Sequence, residues 1–547
     1  MPTISYRANT LSQHFPFLSQ HHGRTIIVPK QDQAFTLRAN VLANPADEDK
    51  DIGIPQAYYM HNVMPVSEGL RSIGFTQQIA GLPGHLDFNA MAILRDVNEN
   101  RFLYSPSDGK NYVFDGNVGV WASIPLSSAS VPIIPAANIV TIAYINGHTY
   151  VCYKKTGIFE YNPITKIFDI VILTGVIAAN LNGITSSNGF LIAWDDFNIY
   201  RSSGLDPLNL TPDITTGAGF SIPQDIKGKI VICLPVATGF IIYTTANAIG
   251  ASFTQNIRFP FNYLEINGSG GITPPAQIFW QYNGTYHYIW TRAGLLRVDK
   301  TNAIPSFGDI TDFLSDKIFE DYDEINDIFI STNLGGNLLV QVTVIEKRFL
   351  VVSYGITEFT HALVYDLIYK RWGKIKLTHV AAFEYFIPSI FNDITWDRLG
   401  TITWDGLGAT TWNDLLFQLL PAEHAKQTLA FLQKDGTVKT VNFELTQLAC
   451  AGICVLGKYQ YVRERLLQLN EIEVNSIPQN SNFTLKVLPS MDGSTLLPAV
   501  TPFLAINLGK YRKYLCDVWG KNHSIVAKGS FDLSSLELTM NPGYKIG

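Results

Sequence analysis

Residues 140–153 read VTIAYINGHTYVCY, and this stretch decides the fold class of the chain. β-Branched and aromatic residues fill positions 140–144 and 149–153, and these residue types favour strands. Asn146 and Gly147 lie between the two runs. An Asn-Gly pair suits a tight hairpin turn, because both central positions of that turn need a positive φ. The stretch therefore predicts a β-hairpin.

The same combination of a turn dipeptide and a strand-like run recurs along the chain. Such pairs stand before or between β-branched and aromatic runs at Asn188-Gly189, Asn283-Gly284, Gly335-Gly336 and Asp435-Gly436. Regularly spaced hairpins of this kind, from about residue 90 to about residue 445, indicate an all-β protein.

Four short segments share a similar strand phrase, rich in aromatic and aliphatic residues. They are IFEYN (158–162), FNIYR (197–201), LLRVD (295–299) and LVYDL (363–367). Repeated four-stranded blades produce this pattern, because each blade packs against a neighbour on both faces. We expect residues 56–445 to form a β-propeller with inserted loops, and a pair of β-sandwiches is the alternative.

The two ends of the chain differ from its middle. Residues 1–55 have a polar, loop-like composition and predict an N-terminal arm that orders against neighbours. Residues 446–547 contain further strand-like runs and predict a compact C-terminal β-module.

An eight-residue repeat occupies residues 394–415. It reads ITWDRLG, ITWDGLG and TTWNDL, and it places Trp396, Trp404 and Trp412 at equal spacing. One interpretation is a tandem of Asx-type turns with the indoles packed inward, which the regular spacing favours. The other is an aromatic platform that docks a partner loop or a sugar. These three tryptophans are the candidate partner-docking residues of the sequence.

The composition indicates a surface that partners cover. Hydrophobic residues make up 46% and aromatic residues 12% of the 547 residues, and charged residues only 16%, against roughly 25% in an ordinary soluble domain. The longest apolar stretch, 230–243, is interrupted by Pro235 and Gly239 and predicts two strands, so we expect no membrane-spanning segment. A homo-oligomeric ring is the expected assembly.

The formal net charge of −6 disfavours a tight nucleic-acid binder, since no global positive field attracts the phosphate backbone. A neutral or acidic wall around a channel is compatible with this charge, because DNA must slide through a conduit.

Motifs for catalysis or cofactor binding are absent from the sequence, so we expect no enzyme and no cofactor. The five cysteines, at positions 152, 233, 450, 454 and 516, suggest neither a disulfide framework nor a zinc site. Two acidic groups, Asp195-Asp196 and 321–324, are interpreted as solvated turns rather than calcium ligands or paired catalytic carboxylates. A polysaccharide hydrolase, which needs two carboxylates in one groove, is the enzymatic alternative.

Several phrases in shared order resemble the tail nozzle (tubular protein B-like) family of short-tailed bacteriophages. They are YYMHNVMPV (58–66), GLRSIG (69–74), NGFLIAW (188–194), FIIY (240–243), HALVYDL (361–367) with Arg371-Trp372, SMDG (490–493) and Trp519-Gly520. The resemblance covers residues from about 55 to about 540. The repeat at 394–415 and the N-terminal arm have no counterpart in the family pattern.

The resemblance implies a virion protein that forms a hexameric nozzle ring at the distal end of a short tail. Such a ring joins a tail adaptor ring, the head-to-tail connector, and carries fibres or spikes. It also lets phage DNA pass during ejection. No catalytic residues are carried over. A receptor-binding or polysaccharide-degrading tail fibre or tailspike protein is the alternative function.

Overall fold

The computed structural model describes a large part of the chain, and nearly all of that part is extended. The described residues are 3–6, 23–27, 57–66, 69–82, 88, 92–95, 101–107, 110–115, 120–124, 140–162, 165, 167–272, 286–291, 294–305, 314, 318–323, 328–333, 338–345, 348–368, 371–387, 426–442, 452–459, 465–475, 483–491, 497, 499–508, 511–533 and 535–545. They form 42 β-strands, which confirms the all-β prediction.

Six strands precede the first complete sheet. They are β1 (Thr3–Tyr6), β2 (Gly23–Ile27), β3 (Ala57–His61), β4 (Val63–Val66), β5 (Gly69–Ser72) and β6 (Gly74–Ile79). These strands do not pair into a sheet of their own, because each joins a sheet built mainly from later residues.

Five sheets of consecutive strands follow, each an antiparallel meander. The first sheet contains β7 (Ala92–Arg95), β8 (Arg101–Ser107), β9 (Lys110–Asp115) and β10 (Val120–Ile124), and the second contains β11 (Val140–Ile145), β12 (His148–Tyr153), β13 (Gly157–Asn162) and β14 (Ile167–Ile170). The third contains β15 (Gly183–Ser187), β16 (Phe190–Trp194), β17 (Ile199–Arg201) and β18 (Gly219–Ser221), and the fourth contains β19 (Ile230–Val236), β20 (Gly239–Thr244), β21 (Ala248–Phe253) and β22 (Phe261–Ile266). The fifth contains β23 (His287–Thr291), β24 (Gly294–Val298) and β25 (Ala303–Pro305). We call these sheets blades 1 to 5.

Two further blades complete the series after a separate hairpin. The hairpin consists of β26 (Ile318–Asp323) and β27 (Ile328–Asn333). Blade 6 contains β28 (Leu339–Ile345), β29 (Phe349–Gly355), β30 (Phe359–Asp366) and β31 (Arg371–His379). Blade 7 contains β32 (Ala381–Ile387), β33 (Lys426–Leu432) and β34 (Val438–Asn442). The fourth strand of blade 7 is β6, which pairs with β34 from the other end of the propeller range.

The seven blades pack in sequence order and close into a ring. One buried cluster joins blades 3, 4 and 5, and another joins blade 7 to blade 1, where Ile79 and Phe383 lie with Trp121. The first strands β11, β15 and β19 lie beside one another, as do β28 and β32, so first strands face the inside of the ring. The chain is therefore a β-propeller, as the repeated strand phrases predicted.

Burial on both faces explains why many strands are apolar throughout. All five residues of β16, FLIAW, are buried, and so are all six of β20 and all seven of β29. An ordinary surface sheet would alternate apolar and polar residues, whereas a blade has a neighbour on each side.

The predicted turn dipeptides adopt the expected backbone at two sites. Asn146 and Gly147 have φ of 53° and 81°, and Asn188 and Gly189 have φ of 50° and 82°. These positive values match the two-residue hairpin turn that the sequence predicted. Asp435-Gly436 also connects two paired strands, β33 and β34.

One predicted hairpin is wrong. Gly335-Gly336 lies outside the described residues, but β27 before it pairs with β26 and β28 after it pairs with β29. The two flanking strands thus belong to separate sheets. Asn283-Gly284 also lies outside the described residues.

The strand phrases quoted from the sequence coincide with blade strands, and three of them adjoin a turn capped by an aspartate. Segments 158–162, 197–201 and 363–367 overlap the third strand of their blades, whereas 295–299 overlaps the second described strand of blade 5. Aspartate carboxylates accept the N–H two residues later at Asp195 (from Phe197, 2.8 Å), Asp299 (from Thr301, 2.7 Å) and Asp366 (from Ile368, 2.8 Å). The repeated aspartates therefore stabilise the blade turns.

The remaining strands form two sheets around a common apolar core, which we call the C-terminal sandwich. They are β35 (Gly452–Tyr459), β36 (Arg465–Asn475), β37 (Thr484–Ser490), β38 (Leu504–Leu508), β39 (Tyr511–Gly520), β40 (Asn522–Gly529), β41 (Asp532–Leu533) and β42 (Ser535–Lys545). One sheet has the order β1-β2-β42-β36-β39-β38, the other β3-β35-β40-β37, and β41 extends blade 6 through β5.

Strand pairing crosses the ranges that the sequence analysis assigned to separate parts of the chain. β3, within 56–445, pairs with β35, and β41, within 446–547, pairs with β5. From the arm range 1–55, β2 pairs with β42 and β1 pairs in parallel with β2. The propeller and the sandwich are thus joined by shared sheets.

Candidate docking surfaces and the junction between propeller and sandwich

The predicted docking residues Trp396, Trp404 and Trp412 lie outside the described residues, as does the whole repeat at 394–415. The strands around it show where it is attached. The chain leaves blade 7 after Ile387 and re-enters at Lys426, and these two residues are directly paired. The repeat therefore belongs to an insertion between the first and second strands of blade 7.

The junction between propeller and sandwich is built on the β4–β5 hairpin. Val63 of β4 pairs with Lys374 of blade 6, and Arg71 of β5 pairs with Asp532 of β41. Arg71 also donates from Nε to Asp532 Oδ2 at 3.0 Å and makes a second bond from Nη2. Both hydrogen bonds of this fork are charge-assisted, which makes them stronger than neutral ones.

Ser72 makes a second connection beside this ion pair. Its Oγ accepts a hydrogen bond from the backbone N–H of Phe531 at 2.9 Å and donates to the carbonyl of Phe531 at 3.2 Å. The side chain of Phe531 is fully buried in the core cluster that also contains Leu70 and Leu485. The phrase Gly-Leu-Arg-Ser thus fixes the end of the sandwich to blade 6.

Asn62 joins three strands at the same place. Its φ is 51°, a left-handed backbone that asparagine tolerates better than most residues. Its Oδ1 accepts the N–H of Lys376 at 3.0 Å, and its carbonyl accepts the N–H of Ile73 at 2.9 Å. A Cβ on Gly452 would lie 2.9 Å from the same carbonyl, so β35 approaches closely.

Lys374 crosses from blade 6 to the sandwich. It is buried, and its Nζ lies 5.1 Å from the ring centroid of Tyr59 on β3. A cation over an aromatic face is attracted by the ring quadrupole. Trp372, two residues earlier, packs on Tyr365 with ring centroids 4.5 Å apart.

Some of the phrases that resemble the tail nozzle family are therefore adjacent in space although distant in sequence. The opening phrases at 58–74 meet the late phrase ending in Arg371-Trp372 at this junction. Ser490 and Gly520 also lie together, because a Cβ on Gly520 would be 3.1 Å from the Ser490 carbonyl. Sequence reasoning found these phrases but missed Asp532 and Phe531, for which no local pattern exists.

Exposed apolar side chains concentrate in two regions of the described chain. The first runs from blade 2 to blade 4 and includes Ile172 and Leu205, which are 82% and 86% exposed. Within it, the loop carrying Ile257 and Phe259 lies against Gly217, so loops of blades 3 and 4 form one surface. Apolar surface of this kind marks interaction sites.

The second region lies at one edge of the sandwich. Phe503, Leu504 and Ile506 are exposed on or beside β38, and Met491, Val500 and Trp519 are exposed nearby in sequence or on β39. β38 is the terminal strand of the six-stranded sheet. An exposed apolar edge strand offers both unpaired backbone groups and side chains to another strand.

The acidic pair Asp195-Asp196 is engaged in local structure. Burial alone would raise the pKa of Asp195, but hydrogen bonds from Phe197, Asn198 and Tyr200 outweigh it and hold the pKa below its usual value. Hydrogen bonds from Asn182 and Lys229 lower the pKa of Asp196 to about 2. Of the second acidic group, 321–323 lie in β26, and residue 324 is outside the described residues.

The cysteines that the structure describes are buried free thiols. They are Cys152, Cys233, Cys454 and Cys516, and burial raises the pKa of each. Across the described residues, no three His, Cys, Asp or Glu side chains come together to hold a metal ion. No described helix is both long and apolar enough to cross a membrane.

Among known proteins, the chain is similar to solved structures but to no described family. No family model and no curated protein matches the chain. The computationally designed Ika8 protein is 11% identical, with a TM-score of 0.37 over 67% of this chain and 99% of that one. The WD40 β-propeller domain of Doa1 is 11% identical, with a TM-score of 0.32 over 68% and 98%. YCF48 from Cyanidioschyzon merolae is 12% identical, with a TM-score of 0.36 over 57% and 93%.

Proposed function

We propose that the protein is the tail nozzle of a short-tailed bacteriophage. In this proposal six copies form a ring at the distal end of the tail, bound to an adaptor ring above and to fibres or spikes at its periphery. The ring is a conduit for DNA ejection and has no catalytic role. The virion is its location.

The observation that carries the proposal is the adjacency of the family-like phrases at the junction. Val63 pairs with Lys374, and Asn62 bonds to Lys376. Both lysines lie in β31, the strand that begins with Arg371-Trp372, some 310 residues further along the chain. The adjacency of the opening and late phrases supports a shared architecture, in which strand pairs join a propeller to a sandwich.

The exposed apolar regions support an assembled rather than a solitary protein. Apolar patches on a monomer are usually small, and larger ones serve as contact sites. Here they occupy the rim of blades 2 to 4 and the β38 edge, which are separate parts of the chain. Separate contact surfaces are expected of a subunit that binds ring neighbours and also carries a fibre. The insertion that contains Trp396, Trp404 and Trp412 is a third candidate for docking.

The charge and the engagement of the acidic side chains support a passive conduit. Asp195 is held by a turn and by Tyr200, and Asp196 bonds to Lys229 at 3.0 Å, so neither carboxylate is paired with the other for acid–base work. The net charge of −6 avoids a strong grip on passing DNA.

Antibody labelling of virions that contain this chain tests the proposal. Electron microscopy should place the label at the distal end of the short tail, on its axis. Label on peripheral fibres would instead support a receptor-binding protein. Release of fragments from host polysaccharide by the purified chain, lost in one carboxylate variant, would support a tailspike hydrolase.

A further inference from the structure

The six-stranded sheet of the sandwich ends in two open edges. At one end β38 pairs with β39, and at the other β1 pairs with β2. In the described part of the chain no strand pairs with the outer side of either. Each edge therefore presents backbone N–H and C=O groups at every second residue.

The β38 edge lacks the features that normally prevent strand addition. Natural edge strands are usually protected by lysine, by proline within the strand or by a bulge. β38 reads LAINL, with no charge and no proline, and pairs with β39 without a register shift. Phe503, Leu504 and Ile506 are 70%, 47% and 38% exposed. Such an edge is suited to binding another uncharged strand.

The opposite edge has matching properties. β1 reads TISY, also uncharged, and is four residues long against five in β38. Its neighbour β2 pairs with it in parallel, whereas all other pairs of this sheet are antiparallel. Followed across the sheet, these pairings make β1 and β38 run in the same direction.

This shared direction decides how copies can join. A rotation about an axis along the strands keeps strand direction, so β1 of one copy can lie parallel to β38 of the next. The contact uses two different surfaces, and repeating it closes a ring when the rotation between neighbouring copies divides a full circle. Self-pairing of β38 about a two-fold axis would instead be antiparallel and stop at a dimer.

We infer that β1 (Thr3–Tyr6) of one copy adds in parallel to β38 (Leu504–Leu508) of a second copy, so that the sandwich sheets form a continuous belt around the ring. The inference deepens the proposed function, on which it rests, by naming the contact between subunits. The exposed apolar side chains beside β38 then become buried against the neighbour.

Mass photometry of full-length variants tests the inference. Ile506→Lys places a charge in the proposed contact, and we expect the association constant to fall at least about tenfold. The control is Val120→Lys, since Val120 is 42% exposed on β10, the edge strand of blade 1, outside both exposed apolar regions. The control should assemble like the unsubstituted protein. Equal assembly of both variants would overturn the inference.

Mixing two blocked variants tests the head-to-tail geometry. Ile4→Pro disrupts β1, and Ile506→Lys blocks β38, so neither variant should form rings alone. Together they retain one intact edge of each kind, and one-to-one dimers should form on mixing. Dimers of Ile4→Pro alone would indicate β38 self-pairing, and rings of Ile4→Pro would show that β1 is not the partner. Either result overturns the inference.

The same experiment separates this inference from the proposed function. If the unsubstituted protein forms rings and Ile506→Lys still does, only the contact is wrong. If the unsubstituted protein remains monomeric at all concentrations, the ring itself fails.

Discussion

Asn442 donates a hydrogen bond from Nδ2 to Oγ1 of Thr76 over 3.0 Å, although the two residues are 366 positions apart. Gln78 makes a similar bond to Thr440 at 2.9 Å. These hydrogen bonds lie along the β6–β34 strand pair. Because β6 comes from the N-terminal part of the chain, this pair closes the propeller. The propeller is therefore closed by strands from two distant parts of the chain.

Ile79→Ala should show how much this closure contributes. Ile79 is buried between blades 7 and 1 and pairs with Val438. Removing a buried aliphatic side chain should lower the free energy of unfolding by about 2–5 kcal/mol. Chemical denaturation measures the change. Gln77→Ala on the exposed side of the same strand is the control and should stay within about 0.5 kcal/mol of the parent. Equal effects of the two would contradict the closure.

Gly250→Ala should weaken the contact between blades 4 and 5. A Cβ at this position would lie 2.1 Å from the Lys300 carbonyl, which is backbone and has little freedom to move. We expect a loss of about 1–3 kcal/mol or more, measured by thermal unfolding. Gly157→Ala is the control, since its Cβ would meet Phe159 at an ordinary 3.6 Å. A Gly250→Ala variant as stable as the control would argue against this blade packing.

The Arg71–Asp532 pair should couple the sandwich to blade 6. The two side chains are 33% and 22% exposed and form a two-bond fork. A double-mutant cycle with Arg71→Ala and Asp532→Ala should give a coupling energy of about 1 kcal/mol. The more exposed Lys227–Glu265 pair is the reference and should give less than about 0.5 kcal/mol. A coupling energy no larger than that of the reference pair would show that the ion pair does not stabilise the junction.

Three buried histidines make stability depend on pH. Burial lowers the pKa of His287, His379 and His523 to about 4, and each ring donates to a backbone carbonyl as a neutral imidazole. The unfolded chain takes up these protons below its ordinary pKa of about 6.5. The contribution of these three histidines to stability should therefore be constant above that pH and decline as the pH falls from 6.5 towards 4.

Denaturation at a series of pH values checks this expectation. The decline should reach up to about 1.4 kcal/mol per pH unit for each histidine, and His287→Gln should make the slope shallower. An identical slope in the variant between pH 6.5 and 5 would mean that His287 is not a buried neutral group.

Local features of the fold were predictable from the sequence, and distant pairings were not. Asn146-Gly147 and Asn188-Gly189 specify their turns by themselves, since the required positive φ is a local property. The pairing of β6 with β34 depends instead on the closure of the whole ring. Gly335-Gly336 was misassigned for the same reason: a turn dipeptide does not reveal which sheet its flanking strands join.

The candidate docking surfaces show the same limit. The low charge fraction indicated covered surface, but not its place, and the β38 edge became evident only from the sheet order. Asp532 belongs to no sequence motif, and its role as the ion-pair partner of Arg71 is evident only from its position opposite that residue. The prediction that Trp396, Trp404 and Trp412 pack inward or dock a partner stays a prediction.

The central claim is that the chain assembles into a ring of propeller subunits. Electron microscopy of the purified full-length protein tests this claim most directly. Class averages should show a closed ring with six-fold symmetry and a central opening, with a mass about six times the 60.8 kDa of one chain. Particles of single-chain size at every concentration, with or without the adaptor ring, would contradict it.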